Sequence, residues 1–189
     1  MIDKIIKEAT NAVSAAVEGA GDIVSSITNT VKDQVVNVVS GTGEVASSTV
    51  DAVASVASGS AKAAGEVGAS LTDTVSGTMS GVVKGVSSVG GDVMDSVFGA
   101  AKGIVEGTAD TGGDVGKAAV AAVESAVKSA GDVGADTAEA TKSAVGGAMD
   151  AATTVGGDAV NKVKDALLAS AALPRDVVES AIKGSEKRK

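Results

Sequence analysis

The chain has 189 residues, a formal net charge of −8, and is 44% apolar but only 1% aromatic. It contains no His, Cys, Trp or Tyr, which leaves no histidine general base, thiol nucleophile, disulfide framework or zinc cluster. An acidic chain without stacking aromatics is also a poor nucleic-acid binder. No enzyme activity, cofactor or metal is therefore expected. The apolar set is almost entirely Ala and Val, too small to fill a thick globular core, and 25 glycines weaken helices and strands alike.

From the N-terminus, Met1 leads directly into Asp3, Lys4, Lys7 and Glu8, with no signal-peptide pattern. No charge-free run exceeds about 10 residues, against the roughly 20 a transmembrane helix needs. The expected location is cytoplasmic, or peripheral on a membrane or lipid droplet.

Further along, one word recurs every 22 residues. It reads Val67-Gly68-Ala69-Ser70-Leu71, Val89-Gly90-Gly91-Asp92-Val93, Thr111-Gly112-Gly113-Asp114-Val115, Val133-Gly134-Ala135-Asp136-Thr137 and Val155-Gly156-Gly157-Asp158-Ala159. Twenty-two is twice eleven, and eleven residues make three helical turns. In an eleven-residue frame lettered a to k, with Gly21 at a, positions c, g, k, d and h form one helical face. Residues 1–168 hold 32 charged side chains, and none falls on that face. Its apolar stripe runs through Ile5, Ile27, Val38, Val82, Val93, Ile104 and Val115 at g, and Val53, Val75, Val86 and Val97 at k. The period predicts an all-α fold of long amphipathic helices, elongated or bundled, with right-handed coiling where they pack.

The opposite face is zoned. Lys32, Lys102, Lys142 and Lys164 lie on one flank, and Asp92, Asp114, Asp136 and Asp158 on the other, so parallel neighbours would meet basic flank to acidic flank. Gly68, Gly90, Gly112, Gly134 and Gly156 sit at d, inside the apolar face. They suit either close helix–helix contact or a turn, in which each glycine ends one helix and the aspartates cap the next. Residues 1–66 keep the frame without Gly-Gly pairs, which favours long continuous helices. Phe98, at position a, borders the stripe as a packing or interfacial residue.

The repeat region spans 1–168. In 169–189, Leu173-Pro174 breaks the helix, Asp176 to Lys183 suits a short amphipathic helix, and Glu186-Lys187-Arg188-Lys189 forms a basic tail. Thr111 to Ala118 has the look of a phosphate loop but lacks the first glycine and the Ser/Thr after Lys117.

Val35-Val36-Asn37-Val38-Val39-Ser40-Gly41 and the stretch from Gly99 to Thr108 resemble the eleven-residue amphipathic repeats of synucleins and perilipin-type lipid-droplet coats. Late-embryogenesis-abundant proteins share the period. The resemblance implies a non-catalytic structural protein whose helical repeats coat or organise a lipid surface. The alternatives are a homo-oligomeric bundle, tube or filament with an apolar lumen, and a stress protectant. The expected partners are thus lipid or the chain itself.

Overall fold

The computed structural model describes residues 7, 10–12, 14, 15, 22–42 and 46–186. Eight helices follow residue 22: α1 (Ile23–Thr42), α2 (Ala46–Val67), α3 (Leu71–Ser88), α4 (Val93–Asp110), α5 (Val115–Asp132), α6 (Thr137–Val155), α7 (Ala159–Ala169) and α8 (Arg175–Glu186). The described residues contain no strand.

The long continuous helix favoured by the frame is not formed. None of these helices exceeds 22 residues, because the recurring word is a stop followed by a start. Gly68, Gly90, Gly112, Gly134 and Gly156 all have φ between 67° and 77°, a region that costs an L side chain about 1–2 kcal/mol. At the end of α3, the amide of Gly91 donates to the carbonyl of Val86 at 3.0 Å and that of Gly90 to Ser87 at 3.3 Å. This pair satisfies two orphan carbonyls of the last helical turn. The same pair closes α4, through Gly113 to Thr108 at 2.8 Å and Gly112 to Ala109 at 2.9 Å.

The restart is equally local. The Asp92 carboxylate accepts from the amides of Met94 and Asp95 at 2.8 and 3.0 Å. Asp136 accepts from Ala138 and Glu139 at 2.8 and 2.9 Å, and Asp114 from Lys117 at 3.0 Å. Each carboxylate satisfies free amides at a helix N-terminus and complements its dipole. The turn before α7 differs: Gly156 and Gly157 both have positive φ, and Asp158 makes no capping bond with its side chain.

Turns of this form reverse the chain, and the helices settle into two rows. Odd-numbered helices make one row and even-numbered helices the other. Every helix contacts its sequence neighbours and the helices two positions away, and no pair further apart in sequence touches among the described residues. Such a stack is quasi-one-dimensional. The apolar stripe lies between the rows. Ile27, Val82, Val86, Val97 and Ile104 are fully buried, and Val53, Val75 and Val115 are buried nearly as well. Val38 and Val93 are half-buried. Ile5 lies outside the described residues. The small side chains that rule out a thick core instead suit a thin one, two helices deep.

The segment after Pro174 is not a separate unit. Helix α8 lies on α6 and touches α7, burying Val178 and Ile182. It leaves Arg175, Asp176 and Lys183 exposed. Residues 187–189 of the basic tail lie outside the described residues.

Candidate functional site

The most distinctive surface among the described residues is the helix–helix seam, where backbones of neighbouring helices come into close contact. Among the described residues no group of three or more Asp or Glu is placed to hold a metal ion, and no helix is long and apolar enough to cross a membrane.

The seam is built on glycines that the frame places on the charged side of the helix. Gly77, Gly81 and Gly85 recur every four residues in α3, and Gly99, Gly103 and Gly107 do the same in α4. Residues four apart stand one above another on a helix, so each trio is a ridge without side chains. A methyl on Gly81 would stand 2.7 Å from the carbonyl oxygen of Thr28, and one on Gly77 would be 3.0 Å from that of Val24. In α4, a methyl on Gly99 would lie 2.7 Å from the Val50 carbonyl oxygen and one on Gly107 2.5 Å from that of Ser58. Methyls on Gly103 and Gly147 would overlap the carbonyls of Ala54 and Phe98. The partners advance together along the chain, so helices within a row run parallel. The hydroxyl of Thr28 adds a bond to the Gly77 carbonyl at 3.3 Å, and Thr10 makes the equivalent bond to Gly59 at 3.2 Å.

The five d glycines play a different part. A methyl on Gly68, Gly90, Gly112, Gly134 or Gly156 would meet nothing within 4 Å. They are turn residues, and the close contact weighed for them belongs to the ridges. Spacing would have located the ridges, because G-x-x-x-G-x-x-x-G is legible in both helices. The charged neighbours at the same frame positions concealed it.

The charge flanks meet within the chain, with different acids. Lys62 pairs with Asp110 at 2.7 Å, linking α2 to α4, and Lys102 pairs with Asp150 at 2.8 Å, linking α4 to α6. Asp92, Asp114 and Asp136 are instead committed to capping, because their frame position falls on the residue before each helix. Lys142 is exposed, whereas Lys32 and Lys164 are half-buried. The hydrogen bond from Lys102 to Asp150 holds its ammonium pKa above the ordinary value. Between the two pairs sits Glu106. Partial burial raises its carboxyl pKa, opposed by Lys102 and Lys62 and reinforced by Asp150 and Asp110. Phe98 packs its ring beside Gly146, where an added methyl would stand 3.4 Å away.

No protein-family model matches the chain, and no curated protein matches it.

Proposed function

We propose that this chain is a non-catalytic structural protein that acts in a closed form, as a charged helical stack with its apolar stripe turned inward. The observation that carries this reading is the seating of the α3, α4 and α6 glycines on neighbouring backbones. Each glycine costs a helix about 1 kcal/mol relative to Ala. A lipid surface recovers none of that, whereas close backbone contact recovers it as packing.

A lipid coat, which the resemblance to perilipin-type proteins implies, is favoured by one specific feature. The same frame positions line the inside of every repeat helix, so opening the turns would present one continuous Val/Ala stripe to an interface. Binding would then come from many small contributions, at about 25 cal/mol per Å² of apolar surface.

Circular dichroism and sedimentation, in buffer and then with lipid vesicles, separate these readings. The closed stack is expected to be helical and of low mass in buffer. Helicity only with vesicles would replace it with the lipid coat, and helicity only on drying with the protectant. A helical species of many chains in buffer would point to the homo-oligomer.

A further inference from the structure

We infer that a polar groove across the odd row is a binding site for phosphate monoesters. The groove spans α1, α3 and α5 and encloses about 300 Å³. Asn29, Ser76, Ser80, Lys84, Lys128 and Ser129 line it. Among the described residues none of these six side chains has a hydrogen-bond or ion-pair partner within the protein.

Several helical hydroxyls elsewhere bond back to the carbonyl four residues earlier, as Ser55 does to Asp51 at 2.7 Å, Ser96 to Asp92 at 2.6 Å and Thr141 to Thr137 at 2.7 Å. This is the ordinary fate of a helical Ser or Thr. Lys62 and Lys102 are paired with carboxylates, whereas among the described residues Lys84 and Lys128 are not. In the groove, Ser25 and Thr28 donate to Asp22 and Gly77, while the hydroxyls of Ser76, Ser80 and Ser129, the Asn29 amide and the two ammonium groups keep free donors. Ser129 is 3% exposed overall and still opens onto the groove.

The donor set selects the ligand. Two ammonium groups from different helices and several hydroxyls match a compact, doubly charged anion with three terminal oxygens. Asp132 also lines the groove. It repels a second phosphate and accepts a hydrogen bond from a hydroxyl, which favours a monoester of a polyol over a bare polyphosphate. The ligand is either a free sugar or glycerol phosphate, or the monoester headgroup of an anionic lipid. The inference rests on the closed stack, since only the seating of α1, α3 and α5 against one another assembles the groove; helix content and low mass in buffer test the stack separately from ligand binding.

The test titrates the full-length chain with glycerol 3-phosphate, following the backbone amide resonances, and measures cosedimentation with phosphatidylcholine vesicles with and without phosphatidic acid. Saturable shifts confined to Asn29, Ser76 to Lys84 and Lys128 to Asp132 are expected. The double variant Lys84→Gln/Lys128→Gln should bind about tenfold more weakly, with unchanged helix content, while Lys142→Gln on the other row should bind as the parent does. Binding of glycerol 3-phosphate assigns the site to a soluble ester. Binding of phosphatidic acid vesicles alone, lost in the double variant, assigns it to a headgroup. Absence of saturable binding to either probe overturns the inference, as does equal binding by the parent and the double variant.

Discussion

Gly103 of α4 lies directly against the carbonyl of Ala54 in α2, 49 residues earlier, with no room for a methyl between them. The same offset joins Gly99 to Val50, Gly107 to Ser58 and Gly147 to Phe98. A single displacement thus governs contacts along the even row, and it makes glycine at these sites a packing residue rather than a flexible one.

Gly103→Ala is therefore expected to lower the unfolding free energy by about 3 kcal/mol, the upper end for an overpacked site. Gly112→Ala, which gains only the strain of a positive φ, should lose about 1 kcal/mol. Gly184→Ala, in open space within α8, should gain up to about 1 kcal/mol. Urea unfolding of the three variants checks the order. A Gly103 variant as stable as the parent would remove the close contact from this description.

The caps should also be unequal. Asp92→Ala and Asp136→Ala each remove two side-chain bonds to helix amides and should cost about 1 kcal/mol. Asp158 makes no such bond, so Asp158→Ala should fall within about 0.5 kcal/mol of the parent. Thermal unfolding followed by circular dichroism would show two lowered midpoints and one nearly unchanged.

Glu106 gives the stack a pH dependence of definite sign. Its carboxyl pKa is raised in the folded state, so the fold prefers the protonated form. Its contribution is full below the unfolded pKa of a glutamate and is lost as pH rises through the higher folded value. Glu106→Gln, neutral at every pH, should match or exceed the parent in stability near pH 7. That advantage should shrink as the pH is lowered to about 3, below the unfolded value, where the parent carboxyl is protonated in both states. Denaturant midpoints at the two pH values measure the difference, and a constant gap between the proteins would contradict the assigned shift.

Charge on the inward face should be intolerable. Val82 is fully buried, and Val82→Asp places an unpaired carboxylate between the rows, at a cost of several kcal/mol. Ser87 is exposed, and Ser87→Asp should stay within about 0.5 kcal/mol of the parent. Far-ultraviolet circular dichroism would show helix lost in the first variant and kept in the second.

The helical class and the inward face were legible because every charge in residues 1–168 avoids five adjacent frame positions. The reversal of the chain was harder to read. A 22-residue unit keeps helical phase whether its five-residue word continues a helix or ends one, so periodicity alone cannot separate the two. The decision lies in local chemistry: a left-handed Gly90 followed two residues later by a capping Asp92. The ridges escaped for another reason. Charge partitions the helix into wet and dry halves, but Gly77 and Gly81 sit in the wet half and are nonetheless covered by α1. A lone helix has one buried face. A helix in a row has a second one, against its parallel neighbour, and only small residues mark it.

The alternation of rows imposes an arithmetic on how such a chain can grow or shrink. Removing one 22-residue unit would send every later helix to the opposite row, exchanging the lysine- and serine-lined side of the molecule for the side that carries Glu106 and its ion pairs. Removing two would return each helix to its own side with its partners in register. Length in this architecture is thus counted in pairs, and a lineage of such proteins would be expected to differ in size by multiples of 44 residues.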